Sequence, residues 1–403
     1  MPEKIKHFNY LFIGGGMAAD QAAAGIRSID SKGSLGIVSA DSDEPYARPA
    51  LSKKLWVDPE FTEDDTNFHT KEKNNAVLFL KTQVTQIDPT KHLVTTADGI
   101  QFSYDKLLLA TGSTPQTLAG PDSDLVVALR SKDDYRKIRA FSSAHKHIIV
   151  VGNGYIGNEI AAGLVQNDVQ VSLVISGERL YDKKFPIYLS KKYQQKYIDA
   201  GVKIYSNKRA EKYETQGDQV KVFLNDGTVL KGDGLVLGLG AKIELELAEK
   251  AHLKTDKLGV IVDKNLKTSA SDIWAAGDII SYSDAILGRQ NAGHVNHAVK
   301  SGYTAGQNMA GKETSYNHTP YFYSWVFDVS WEALGAVSSS LRMYAERLQH
   351  SDGSVIYYFD DNDVLQGVLL WNARINLDHY RNILKKKPHL TDLEKILSLE
   401  KVD

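Results

Sequence analysis

A glycine-rich turn occurs twice in this chain, each time between an apolar run and an alanine-rich stretch with helical spacing. The first is Gly14-Gly15-Gly16-Met17-Ala18-Ala19 after FNYLFI, and the second is Gly152-Asn153-Gly154-Tyr155-Ile156-Gly157 after HIIVV. Each apolar run reads as a buried parallel strand. Between such a strand and a helix, glycines let the backbone approach a pyrophosphate while the helix N-terminus supplies N–H donors. One copy also serves as a tight turn in any α/β fold. Two copies in the same context predict two dinucleotide sites on one polypeptide.

Composition narrows what such a chain does. Its 403 residues suit two or three domains, and 42% hydrophobic residues are enough for full cores. A formal net charge of -2 leaves no broad basic field for nucleic acid or an anionic membrane. The first residues, MPEKIKHFNYLFI, contain no signal-type apolar region, and no later stretch has the length of a membrane span, so a cytoplasmic protein is expected. The sequence has no cysteine. Electron transfer through a redox-active thiol is therefore excluded, as is a cysteine-ligated iron–sulfur cluster within the chain. The histidines lack metal-ligand spacing, and His294 and His297 in HVNH have no third partner, so no metal is expected.

Along the chain, FNYLFI, a helix from Met17 and the strand SLGIVSA make a βαβ unit, followed by a polar loop, DSDEPYARPALSKKLW. AVLFLK, TQVTQID and HLVTTADGIQFS read as a small antiparallel meander before the strand KLLLATG. A second unit starts at HIIVV and runs through QVSLVI and GVKIYS to GDGLVLGLG. KTSASDIWAAGDI and a helix over NHAVKSGYTAGQNMAG return to the first. The remainder mixes aromatic strands with a lysine-rich terminal helix. The expected fold is α/β: two Rossmann-like three-layer dinucleotide-binding domains, residues 1–120 with 241–313 and residues 121–240, and a C-terminal α+β domain, residues 314–403.

The glycine turns, the segments YDKLLLATGSTP and IWAAGD, and above all PYARPALSKKLW and HVNHAVKSGYTAGQNMAG, resemble the FAD-dependent pyridine-nucleotide oxidoreductases of the glutathione-reductase fold. Within that group the chain is similar to apoptosis-inducing factor and the ferredoxin-reductase-type NAD(P)H oxidoreductases. The resemblance implies FAD at Gly14, Gly16, Ala18 and Ala19, with Val84 meeting the adenine through its backbone, Arg48 and Lys53 on the flavin side, and Ala110, Thr111, Gly112, Gly277 and Asp278 completing the site. It places NAD(P)H at Gly152, Gly154, Tyr155, Ile156 and Gly157, with Gly177, Glu178, Gly240 and Tyr323 around it. It pairs Glu159 with Lys53, makes Tyr155 the aromatic that covers the flavin when the nicotinamide is absent, and sets His294 and Val295 at a helix N-terminus aimed at the flavin. Lys53, Glu159 and His294 are the catalytic candidates. Without the resemblance, Arg48 and Lys53 would read as solvated surface charge, and His297 as a helix cap or core residue.

The chain departs from the family pattern in several places. Ala40 stands where an acid for the FAD ribose is expected, with Asp41 next to it as the substitute. The second unit has Ser176 at the corresponding position, followed by Glu178-Arg179, which leaves NADH against NADPH open. Gln116 replaces an arginine, and Tyr323 a tryptophan. The expected activity is hydride transfer from NAD(P)H to FAD and electron transfer to an external acceptor: a small molecule, oxygen or a small redox protein. A dedicated ferredoxin or rubredoxin reductase and a slow redox-sensing protein are the alternatives, and a homodimer is left open. Trp325, Trp331 and Trp371 are candidates to border acceptor access, with a core role expected for at least two of them.

Overall fold

The run FNYLFI lies in the strand Lys6–Ile13, whose last four side chains are buried. It is central to a parallel sheet, with Leu35–Val38 on one side and Gln101–Leu109 on the other. Ile273–Ala275 joins parallel to the last three residues of Gln101–Leu109. The computed structural model describes residues 5–349 and 351–403. Within it the chain divides into two units. One comprises the chain through Arg48, Thr62–Thr114 and Lys242–Pro320; the other comprises Pro49–Phe61, Pro115–Ala241 and Tyr321–Asp403.

In the first unit, Ala76–Phe79 corrects the meander expectation: it pairs parallel to Leu35–Val38, opposite Leu35 to Val38. Its unbroken apolar run suits a parallel strand, and the long segment after Val38 provides the crossover that a parallel neighbour needs. Val84–Asp88, Leu93–Thr96 and the first residues of Gln101–Leu109 are the antiparallel part. The helices Met17–Arg27 and Val295–Met309 pack backbone to backbone. A Cβ at Gly302 would lie 2.3 Å from the Ala18 carbonyl oxygen, and one at Gly306 2.0 Å from that of Ala22.

The second unit repeats the plan. His147–Val151 is flanked by Gln170–Val174 and Gly234–Leu237, with Lys203–Tyr205 and Val126–Ala128 outside them, all parallel. The Asp-Gly hairpin is present as Gln219–Leu224 paired with Val229–Gly232. Tyr321–Val326, Val329–Gly335, Leu365–Trp371, Ser354–Phe359, Arg342–Arg347 and Glu400–Val402 form a six-stranded antiparallel sheet. The helix Leu377–Lys386 follows. Trp331 and Trp371 sit opposite each other on adjacent strands and are buried, whereas Trp325 is 36% exposed. No described helix is long and apolar enough to cross a membrane.

Candidate functional site

The two glycine turns have the same construction. Gly14 and Gly152 take φ of +105° and +137°, and a Cβ on either would lie 2.2 Å from a carbonyl oxygen, that of Ala110 or of Gly238. Only glycine fits such positions. The helices Met17–Arg27 and Tyr155–Val165 each begin on a glycine N-cap, Gly16 and Gly154, and no side chain caps them. The nearest atom to a Cβ at Gly16 would be Arg48 Nε at 3.9 Å. Open first-turn N–H groups, no bulk over the turn and a guanidinium at its rim suit an anionic pyrophosphate.

Around the first turn, Ala110 closes against Ile13, its N–H bonded to that carbonyl at 2.8 Å, and Thr111 and Gly112 follow. The Asp278 carboxylate accepts from the Ser113 hydroxyl at 2.9 Å, and the Gly277 N–H donates to the buried Ser301 hydroxyl at 3.0 Å. Gly293 lies beside Asp278: a Cβ there would make ordinary contact, 3.9 Å from the carboxyl carbon. The helix Val295–Met309 differs from the two glycine-capped ones: His294 Nδ1 accepts from the Asn296 N–H at 3.4 Å. Asp41, the proposed ribose acid, meets Arg48 at 3.1 Å and the Tyr46 hydroxyl at 3.1 Å through one oxygen. Val84 opens the strand that follows the loop whose Lys81 and Thr82 N–H groups bond to Asp41 and Ser39 carbonyls. His297 is a core residue: fully buried, bonded through Nδ1 to the Tyr316 hydroxyl at 2.8 Å and stacked on Tyr282, with burial lowering its pKa to about 4.

In the second unit, Glu159 lies on the first turns of its helix and is 2% exposed. Its Oε2 is 2.6 Å from Lys53 Nζ and also accepts from the Ser52 hydroxyl; its Oε1 accepts from Ser324 at 2.7 Å. Lys53 itself is 9% exposed, and its ammonium stands 5.8 Å from the Tyr323 ring centroid. Burial, then the neighbouring Tyr321 and Glu159, push the Tyr323 hydroxyl up to about 12. Tyr155 packs against Trp331 at 5.4 Å and Phe322 at 6.1 Å, with the Lys184 ammonium 5.9 Å from its ring. Burial lowers the Lys184 pKa. Ile156 and Gly157 continue the turn, and the Gly240 carbonyl accepts from the Gln116 N–H at 2.9 Å.

At the end of Gln170–Val174, the sequence reading missed a carboxylate. Asp182 Oδ2 accepts from the Glu178 N–H at 2.8 Å, and its Oδ1 is 3.5 Å from the Asn153 amide nitrogen in the glycine turn. That amide also donates to the Arg179 carbonyl at 2.9 Å, and Arg179 Nη1 pairs with Glu178. Asp182, Ser52 and Ser324 carry no local pattern that would mark them. Among the described residues no group of three or more metal-ligating side chains gathers.

Residues 8–302 match the family described as pyridine nucleotide-disulphide oxidoreductase. The chain is 28% identical to the putative mitochondrial apoptosis-inducing factor 1 of Drosophila melanogaster, over 98% of this chain and 65% of that protein, so it spans slightly under two thirds of that relative's length. It is 31% identical to a monodehydroascorbate reductase of Solanum lycopersicum, over 82% of each chain. Among solved structures it is similar to a covalent putidaredoxin reductase–putidaredoxin complex, with a TM-score of 0.85 and 25% identity over 94% of this chain and 93% of that one. The chain belongs to the pyridine nucleotide-disulphide oxidoreductase family, as an NAD(P)H oxidoreductase whose cofactors are FAD and NAD(P)H.

Proposed function

We propose that the first glycine turn holds FAD, that the second holds NAD(P)H, and that electrons leave the flavin for a small-molecule oxidant without passing through a protein thiol. FAD supplies the hydride-accepting and electron-donating chemistry; the chain positions the reactants and sets the charge around them. Glu159 fixes Lys53 in one orientation, and Tyr155 and Tyr323 flank the nicotinamide. Asp278 accepts from the ribityl hydroxyls, Arg48 sits at the rim of the pyrophosphate turn, and His294 with the Val295 helix N-terminus favours negative charge on the reduced ring.

The observation that supports this reading most is the buried Lys53–Glu159 pair at 2.6 Å, on the helix that the second glycine turn opens. A solvated surface pair would not be enclosed by two serine hydroxyls. A small oxidant is the acceptor class favoured by the 31% identical relative, a monodehydroascorbate reductase by name. A ferredoxin, rubredoxin or similar protein acceptor is the second reading, supported by the likeness to a reductase in complex with putidaredoxin. Slow redox sensing is the third, suggested by the relative named apoptosis-inducing factor. The three-domain division, the cytoplasmic setting and the homodimer belong to the same proposal.

Anaerobic titration of the yellow holoprotein with NADH and NADPH, followed by addition of acceptors, tests it. Bleaching followed by rapid reoxidation with a quinone or another small oxidant supports the first reading. Turnover only with an iron–sulfur protein supports the second, and a long-lived reduced state with negligible turnover the third. A colourless preparation that cannot be reconstituted with FAD overturns all three.

A further inference from the structure

We infer that Asp182 is a specificity-determining residue that sets the second glycine turn for NADH over NADPH, an inference that rests on the nicotinamide site proposed above. In this kind of fold the end of the second strand meets the adenine ribose, where an acid pairs with a free 2′-hydroxyl and a free arginine accommodates a 2′-phosphate. Here that strand is Gln170–Val174, and Ser176 offers no charge. The chain folds back beyond Gly177, and the carboxylate of Asp182, six residues past Ser176, returns to the Glu178 N–H.

Three observations locate it. Asp182 Oδ2 lies 2.8 Å from the Glu178 nitrogen, and its Oδ1 3.5 Å from the Asn153 amide within Gly152-Asn153-Gly154. A Cβ on Gly177, three residues past the strand, would lie 2.2 Å from Asp182 Oδ2, so the carboxylate fills the space beside the backbone there. The Glu178 N–H, a ready donor for a phosphate, is already bonded to that carboxylate.

The charges around the position agree. Glu178 and Asp182 contribute two carboxylates against one guanidinium, and Arg179 Nη1 is engaged by Glu178. The Arg179 main chain is held as well, through its carbonyl bonded to Asn153. Lys208, whose N–H bonds to the Ile175 carbonyl at 3.0 Å, has its ammonium on Asp226. A dianionic 2′-phosphate entering here meets net negative charge, whereas a ribose hydroxyl finds a carboxylate that accepts its hydrogen bond.

The test is calorimetric binding of ADP-ribose and 2′-phospho-ADP-ribose to the FAD-loaded protein, beside flavin reduction by NADH and NADPH. The wild type should bind ADP-ribose the more tightly. Asp182→Asn keeps an oxygen for the Glu178 N–H but removes the charge, and should move the affinity ratio toward the 2′-phosphorylated ligand by roughly tenfold. Tighter binding of 2′-phospho-ADP-ribose by the wild type, or an equal change for both ligands in Asp182→Asn, overturns the inference and leaves the nicotinamide site standing. Failure of both ligands to bind, with neither nucleotide reducing the flavin, overturns the site itself and the inference with it.

Discussion

Lys53 Nζ and Glu159 Oε2 are 2.6 Å apart although the two residues are far separated in sequence, and both side chains are buried. Removing one partner strands the other charge out of water. Lys53→Met should therefore lower stability by about 3–5 kcal/mol, seen as a lower thermal midpoint, and should slow flavin reduction by NAD(P)H. Adding Glu159→Gln should restore part of the stability but none of the rate. Recovery of both in the double variant would show that the pair serves folding alone.

Ser324 donates to the other oxygen of the same carboxylate at 2.7 Å. A hydrogen bond to a charged group contributes about 1.5–3 kcal/mol. Ser324→Ala should leave Glu159 less firmly oriented, reducing the flavin reduction rate severalfold in stopped-flow measurements. Ser324→Thr, which keeps the hydroxyl, should recover most of that rate.

Substitutions at Gly14 and Gly152 distinguish the two proposed dinucleotide sites experimentally. An alanine at Gly14 meets both a positive φ, costing about 1–3 kcal/mol, and the Ala110 carbonyl, 2.2 Å from the new Cβ. Gly14→Ala should be isolated with a reduced flavin-to-protein ratio by absorbance. Gly152→Ala, with the same clash against Gly238, should keep its FAD and lose nicotinamide affinity, read as a raised KM.

The buried His297 predicts an acid sensitivity with a definite sign. Its pKa is lowered from 6.5 to about 4, burial being the main cause. Between those values the unfolded chain takes up a proton that the folded chain refuses, so stability falls as pH drops from about 6.5 to about 4 and is unaffected by this group above that window. The linked loss is on the order of 3 kcal/mol. Thermal midpoints of wild type and His297→Gln, compared at pH 7 and pH 5, should show the smaller drop in the variant.

The glycine turns and the helix from Val295 were legible because their signals are local: an apolar run, a glycine, then helical spacing. The pairing of Lys53 with Glu159 was legible only through the family resemblance. Ser52, Ser324 and Asp182 were not legible, since an isolated serine or aspartate has no period, and their meaning lies in what the fold brings near. AVLF was misplaced in a meander because a short apolar run does not reveal the direction of its neighbour. Its parallel pairing depends on the crossover that precedes it. A core role was expected for at least two of Trp325, Trp331 and Trp371 without identifying which, and the structure buries Trp331 and Trp371 at facing positions on adjacent strands.

The strand Ile273–Ala275 pairs with Leu107 to Leu109, yet it leaves the ribosome long after them. Until it arrives, the buried end of Gln101–Leu109 is an unpaired edge, and the helix Met17–Arg27 lacks the close backbone partner supplied by Gly302 and Gly306. The first unit is therefore completed late in synthesis, after the second unit's parallel strands have already emerged. Such long-range pairing folds slowly and exposes aggregation-prone edges in the meantime. A nascent chain of this protein should depend on chaperones, or on early capture of the flavin nucleotide, to an extent that the stability of the finished fold does not reveal.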